Sequence, residues 1–210
     1  MSRPSNQESI KLAARRVFAR QGYHSASIRA IAKEAGVSLS ALYYYYESKQ
    51  EVLLALLQDS FAEYARHCER ELSSADPDPV SQLSALVRAT VRFRIDEQEL
   101  SLVNLREIAF VEGPSEAAVE AERGKVKARF DAVLEAGIDE GDFTTQDPGD
   151  ARRSIIAMCN SVAQWYDPHG SRTREDVQEA FVRLALAMVG APHASPDARS
   201  RPSRRVTTRS

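Results

Sequence analysis

The sequence has only two cysteines and no long apolar run. Cys68 and Cys159 lie far apart, each within an apolar helical pattern, and we interpret them as small buried hydrophobic side chains. Apolar stretches such as 184–191 fall well short of the roughly 20 residues that a membrane span requires. The N-terminal segment also lacks the apolar stretch of a secretion signal. We therefore expect a cytoplasmic protein with no membrane segment.

Catalytic and metal-binding motifs are also missing. The sequence contains no G-x-x-x-x-G-K-[ST], no G-x-S-x-G and no H-E-x-x-H. Its four histidines, at positions 24, 67, 169 and 193, are scattered without metal-ligand spacing. The sequence therefore predicts no catalytic site, no metal and no cofactor.

The net charge of −2 hides an uneven distribution along the chain. Residues 1–50 hold eight Lys or Arg against three Asp or Glu, a net charge of +5. Residues 191–210 hold five Arg against one Asp, a net charge of +4, which leaves −11 for residues 51–190. A basic N-terminal part on an acidic body is typical of a protein that presents one end to a polyanion.

Helical periodicity covers almost the whole chain, and no strand pattern or fixed-length repeat interrupts it. Ser5 with Glu8, and Ser48 with Glu51, form two candidate capping boxes. Proline and glycine punctuate the later helices. The pattern predicts an all-α fold of about nine helices, at about 7–21, 28–35, 39–45, 49–75, 80–95, 98–111, 115–140, 150–166 and 173–189.

Residues 27–49, SIRAIAKEAGVSLSALYYYYESK, predict a helix-turn-helix. Two short helices flank Gly36, which tolerates the positive φ of a tight turn. Such a unit places its second helix in the DNA major groove. Small side chains on that helix allow the backbone to approach base edges, whereas the tyrosine hydroxyls and the ammonium of Lys49 can reach phosphates.

Two other interpretations stay open at this point. A small helical enzyme would turn over a substrate, which a DNA-binding repressor would not do. A helical adaptor would bind protein instead of DNA, against which the basic N-terminal residues argue.

The same segment resembles the DNA-binding region of the TetR family, in which a stretch of the form I-A-x-x-A-G-V-S-x-x-x-L-Y-x-Y-F-x-S-K recurs. Tyr46 departs from the pattern, which usually has Phe there, and its hydroxyl should perturb packing more than DNA reading. The matching positions are Ile31-Ala32, Ala35-Gly36-Val37-Ser38, Leu42-Tyr43, Tyr45-Tyr46 and Ser48-Lys49.

The resemblance implies a ligand-responsive, homodimeric DNA-binding regulator rather than an enzyme. A helix-turn-helix domain over residues 1–48 would bind a palindromic operator. A helical domain over residues 49–190 would bind a small inducer and dimerise through residues about 150–189. Residues 191–210 would form a disordered basic tail. Arg29 opens the second helix and could contact a phosphate or a guanine. The DNA-facing set is Arg29, Ser38, Leu39, Ser40, Tyr43, Tyr44 and Lys49.

The inducer is predicted to be apolar, with a long-chain or ring-bearing acyl-CoA as the leading hypothesis. The stretch Trp165-Tyr-Asp-Pro-His-Gly170 resembles a subset of the family that senses acyl-CoA thioesters in lipid or steroid breakdown. An uncharged drug-like molecule is the alternative. The candidate pocket residues are Asn104, Glu107, Phe110, Phe130, Asn160, Gln164 and Trp165, with Arg106, Lys125, Lys127, Arg129, Arg152 and Arg153 as candidate partners for the CoA phosphates.

Overall fold

A computed structural model of the chain describes residues 5–107 and 114–191. Over these residues the fold is all-α, as the sequence predicts. The helices are α1 (Asn6–Ser25), α2 (Ile28–Ala35), α3 (Leu39–Tyr45), α4 (Lys49–Ser74), α5 (Pro79–Asp96), α6 (Gln98–Glu107), α7 (Pro114–Asp139), α8 (Pro148–Trp165) and α9 (Arg174–Met188). None of the described helices is both long and apolar enough to cross a membrane.

Side-chain caps fix the helix starts. Ser5 and Glu8 form the predicted capping box at α1. The second predicted box is only half formed, because Ser48 accepts from the N–H of Glu51 while the Glu51 carboxylate accepts from the N–H of Glu47. Each of these bonds satisfies an N–H that the chain leaves free near the start of a helix.

α1 differs from the prediction at its end. It was expected to stop at Gly22, but one further turn follows a break at that residue, whose φ is +73°. Glycine reaches this conformation without the steric cost of a Cβ atom. At this break the chain leaves the direction of the preceding helix, before α2 begins.

Two apolar cores lie along the molecule. The first joins α1, α2 and α3 to the first half of α4, and also takes in Leu100, Val103 and Val119 from α6 and α7. The second lies between the remainder of α4 and helices α5, α7, α8 and α9. α4 therefore belongs to both cores and connects them. The division of the chain at residues 48 and 190 stays a prediction, and residues 192–210 of the predicted tail lie outside the described residues.

Candidate nucleic-acid interface and internal cavity

The turn between α2 and α3 depends on Gly36. Its φ of +67° and ψ of +28° are left-handed, and its N–H bonds the carbonyl of Lys33 at 3.2 Å. The N–H of Val37 bonds the carbonyl of Ala32 at 3.1 Å, which completes a helix C-cap. Ile31, Ala32 and Leu42 are buried between the two helices and α1. The two helices therefore have the arrangement of a helix-turn-helix.

The outer surface of α3 is polar and aromatic. Ser38 caps the helix by accepting from the N–H of Ala41 at 3.1 Å, and its hydroxyl lies 3.0 Å from that of Ser40. Tyr43 and Tyr44 are 47% and 83% exposed, which is unusual for such large side chains. These four side chains together form a surface with four hydroxyl groups available to a ligand.

The two remaining predicted DNA contacts on α2 and α3 differ in exposure. Arg29 is exposed near the start of α2, so its guanidinium is accessible. Leu39 is only half-exposed and packs against the core below α3. Its main contribution is therefore to hold α3 in place, and it lies at the edge of the exposed surface.

The structure gives Lys49 a role other than the predicted phosphate contact. Its ammonium donates to the carbonyls of Tyr23 and Ala26 at 2.7 and 2.9 Å, and to that of His24 at 3.3 Å. It also lies 4.3 Å from the centre of the Tyr23 ring. An ammonium group has three donors, and all three are used here. Lys49 therefore ties the first turn of α4 to the end of α1.

Tyr46, the departure from the family pattern, is a core residue. It is buried beneath α3, and burial raises the pKa of its phenol. Its hydroxyl has no hydrogen-bond partner of normal geometry. The prediction that this residue acts on packing agrees with its position.

A cavity of about 90 Å³ opens between α4, α5, α7 and α8. Arg94 lines it although only 3% of this residue is exposed. The guanidinium donates to Asn160 Oδ1 at 2.9 Å and to Ser101 Oγ at 3.4 Å, and it lies 4.6 Å from the centre of the Tyr64 ring. The other lining residues are Phe61, Tyr64, Arg123, Val126, Lys127, Ile156 and Asn160.

Of the predicted pocket residues that the structure describes, only Asn160 lines this cavity. Asn104 is buried against Ser60, to which it donates at 2.7 Å. Glu107 is buried against α1, where it accepts from the N–H of Tyr23 at 3.1 Å. Phe130 is fully buried in the second core. Their polar or bulky character serves the helix packing, and Phe110 lies outside the described residues.

Gln164 and Trp165 do not line this cavity, and their assignment to a ligand pocket stays a prediction. Both are exposed at the end of α8, and the Trp165 ring lies 6.0 Å from that of Phe181 in α9. The indole N–H donates to Ser161 at 3.3 Å. α8 has apolar residues both on its buried face, such as Ile155, and on its exposed face, where Gln164 and Trp165 lie.

The sequence prediction missed Arg94. A signal was present, because Arg94 follows Val87 by seven residues and Val91 by three, on a helical face that is otherwise buried and apolar. A charged residue in such a position requires either a partner or a function. Among the predicted cations, Lys127 alone lines the cavity.

The other predicted cations are mostly in surface ion pairs. Arg129 pairs with Glu69 at 2.8 Å, and Lys125 with Glu122 at 2.7 Å. Both cations line an open groove of about 590 Å³ between α4 and α7, which meets the cavity at Val126. Arg152 and Arg153 pair with Asp131 and Asp150, and Arg106 is exposed. No group of three potential metal ligands occurs within residues 5–107 and 114–191.

A helix-turn-helix with an exposed second helix, set on a larger helical body with an internal cavity, defines a one-component DNA-binding regulator. Comparisons with known proteins agree. Residues 10–56 match the family model described as bacterial regulatory proteins, tetR family, and residues 76–189 match the tetracyclin repressor-like C-terminal domain. The chain belongs to the TetR family of transcriptional regulators.

Individual relatives are similar over nearly their full length. The HTH-type transcriptional repressor KstR2 of Rhodococcus jostii is 26% identical over 183 residues, covering 84% of this chain and 87% of the relative. A tetR-family regulatory protein from Rhodococcus RHA1 superposes with a TM-score of 0.84 at 25% identity, covering 90% and 100% of the two chains. FadR of Bacillus subtilis, solved with stearoyl-CoA, superposes at 0.72 with 20% identity over 87% and 98%. These relatives are regulators and not enzymes.

Proposed function

We propose that the chain is a homodimeric repressor, acting in the cytoplasm, that binds a palindromic operator through α3 and is released by an acyl-CoA. The exposed surface of α3 carries the proposal. Ser38, Ser40, Tyr43 and Tyr44 offer hydroxyls to phosphates and bases, and Arg29 adds a cation beside them. Lys49 is not part of this surface, since its ammonium is bonded to backbone carbonyls.

Exposed apolar side chains on α8 and α9 support the homodimer. Trp165, Leu184 and Met188 are 45%, 50% and 43% exposed, and the small residues Ala157 and Ala187 are exposed on the same two helices. Two copies of this helix pair would cover each other as a four-helix bundle. Twofold symmetry in the protein would be mirrored by two operator half-sites, about one DNA turn or a multiple of it apart.

The groove and the cavity support an acyl-CoA as effector. The groove between α4 and α7 is lined by Arg66, and by Lys125 and Arg129, for which a CoA phosphate would compete with the carboxylates of Glu122 and Glu69. The groove leads to the apolar residues around Val126. A relative of the same fold, FadR, is known with stearoyl-CoA bound. Effector binding and operator binding would oppose each other through α4, which belongs to both cores.

A gel-shift titration against the upstream region of the protein's own gene tests DNA binding. We expect a sequence-specific complex whose affinity falls steeply as salt rises, because phosphate contacts dominate. Acyl-CoA thioesters with and without a second carboxylate, the matching free acids and free CoA are then added separately, and a thioester should release the DNA where free CoA does not. Binding that ignores both sequence and salt would contradict the repressor function.

Analytical ultracentrifugation tests the dimer. Leu184→Glu places a charge in the proposed interface and should give a monomer with weakened operator binding. Leu12→Glu is a matched control, because Leu12 is 49% exposed on α1, which belongs to the first apolar core, whereas α8 and α9 belong to the second. A Leu184→Glu protein that remains dimeric would rule out this face as the interface.

A further inference from the structure

Arg94 is a buried cation with no ion-pair partner in the described part of the chain. Its contacts are an amide oxygen of Asn160, the hydroxyl of Ser101 and the faces of two aromatic rings. No carboxylate among residues 5–107 and 114–191 lies within ion-pair distance of it, whereas Arg88, Arg92, Arg129 and Arg174, on the surface of the same helical body, each have one. Buried charges are normally paired, because an unpaired one loses its hydration without compensation.

The cavity gives this cation access to a ligand. A guanidinium group has five N–H donors, and the contacts above use two of them. The volume of about 90 Å³ is sufficient for several water-sized groups, and Phe61, Val126 and Ile156 form its apolar side. Burial lowers the pKa of Arg94, but a guanidinium remains charged at neutral pH.

The charged residues around the cavity favour a negatively charged ligand over a neutral ligand. Arg123 and Lys127 line the same cavity and share a single carboxylate, that of Glu120. The region therefore holds three cations and one anion, a net charge of +2. Burial raises the pKa of the two nearby thiols, Cys68 and Cys159, to about 12, so they contribute no negative charge.

We infer that Arg94 binds a carboxylate of the effector, so the effector is an organic acid with an apolar chain. The planar guanidinium can hold a carboxylate through two parallel hydrogen bonds, and a single buried cation matches a single negative charge. The apolar wall accommodates the carbon atoms next to that carboxylate. The inference rests on the proposed function in one respect only, namely that an effector acts on this body.

Two sources can supply such a carboxylate. One is a free carboxylic acid. The other is an acyl-CoA whose acyl group ends in a second carboxylate, with the CoA portion lying in the adjoining groove. A simple fatty acyl-CoA has no carboxylate and would leave Arg94 without a partner.

Matched pairs of ligands test the inference. Thermal unfolding of the full chain is measured with straight-chain acids of four to twelve carbons, with the primary amide of each, and with glutaryl-CoA and adipoyl-CoA beside their neutral counterparts, pentanoyl-CoA and hexanoyl-CoA. At least one acid or dicarboxylic mono-thioester should raise the melting temperature in a saturable way, and its neutral counterpart should bind at least tenfold more weakly. A response to the free acids identifies a free carboxylic acid as the source of the carboxylate, whereas a response to glutaryl-CoA or adipoyl-CoA identifies an acyl-CoA as the source.

Variants connect the response to Arg94. Arg94→Met should weaken the binding of the carboxylate ligand at least tenfold. Arg94→Lys keeps the positive charge and should therefore lose less of this affinity. Arg92→Met is the matched control on the same helix, because Arg92 is an exposed residue that pairs with Glu71 and Asp96. If Arg94→Met is poorly folded, the acid-against-amide comparison in the unmodified chain still decides the inference.

The outcomes separate this inference from the proposed function. Acids and amides that bind equally, or an Arg94→Met protein that binds the acid as tightly as the unmodified chain, would overturn the role of Arg94 while leaving an acyl-CoA-released repressor intact. An Arg94-dependent response to free acids, with no CoA thioester releasing the operator, would support the inference and contradict the acyl-CoA part of the proposed function.

Discussion

The carboxylate of Glu107 in α6 accepts a hydrogen bond from the backbone N–H of Tyr23, at 3.1 Å. This N–H directly follows the break at Gly22, whose φ and ψ are not helical. The carbonyl of the same Tyr23 holds the ammonium of Lys49 at the start of α4. Tyr23, at the end of α1, is therefore bonded both to α6 and to the start of α4.

Removing this acceptor should loosen the connection. Glu107→Leu removes the hydrogen bond that the Tyr23 N–H donates to the carboxylate, and we expect the free energy of unfolding to fall by about 1–3 kcal/mol. Operator affinity should fall as well, because the end of α1 is no longer fixed to α6. Glu107→Gln keeps an acceptor oxygen and is the control. Urea unfolding and gel shift measure both effects, and equal behaviour of the two variants would contradict this role.

Lys49 should act on stability and not on phosphate binding. Lys49→Met removes three hydrogen bonds to backbone carbonyls, so we expect a loss of about 1–3 kcal/mol in the free energy of unfolding. The dependence of operator binding on salt should keep its slope, whereas loss of a phosphate contact would lower that slope by about one. Lys33→Met, at an exposed position on α2, should leave the melting temperature unchanged.

Substitutions at different positions of α3 should have different effects, some on the overall affinity for DNA and others on base preference. Tyr43→Ala should weaken binding to most DNA sequences similarly, because we assign its hydroxyl to a phosphate, and Tyr43→Phe should reproduce most of that loss. Ser40→Ala should change the preferred bases more than the overall affinity. Both positions are exposed, so circular dichroism should show an unchanged fold. Unfolding of the Tyr43→Ala protein would mean that this tyrosine is part of the core.

The two cysteines should be inert in the native protein. Burial raises the pKa of each thiol to about 12, so roughly one thiol in ten thousand is ionised at pH 8, and only the thiolate reacts. We expect no measurable reaction with a disulfide reagent in minutes at pH 8, and reaction of both thiols once guanidinium chloride unfolds the chain. Rapid labelling of the native protein would show that the second core opens easily.

The sequence predicts where helices begin and end better than it predicts which way they face. Serine caps, prolines and glycines act locally, and the expected bounds of α5, α8 and α9 agree with the structure to within two residues. Orientation about the helix axis depends on what packs on each side. α8 has apolar residues both at Ile155, which is buried, and at Trp165, which is exposed, so periodicity alone did not separate its inner and outer faces.

The candidate sites show the same limit. The helix-turn-helix was readable because its function depends on a contiguous segment whose turn requires Gly36. The cavity combines residues from four helices, and Arg94 meets Asn160 across 66 positions of sequence. The contacts of Lys49 were not readable either, because the carbonyls that it binds follow the break at Gly22 and lie more than 20 positions earlier in the sequence. Such contacts follow from tertiary packing and leave no local pattern.

The exposed apolar face of α8 and α9 has a consequence for gene dosage. If two chains must meet there before the operator is bound, the amount of active repressor at low abundance grows with the square of the number of chains, so a twofold change in expression alters it about fourfold. A cell would then pass from a silent to a transcribed gene over a narrow range of protein copies. This steepness would originate in Trp165, Leu184 and Met188, which touch neither the operator surface nor the Arg94 cavity.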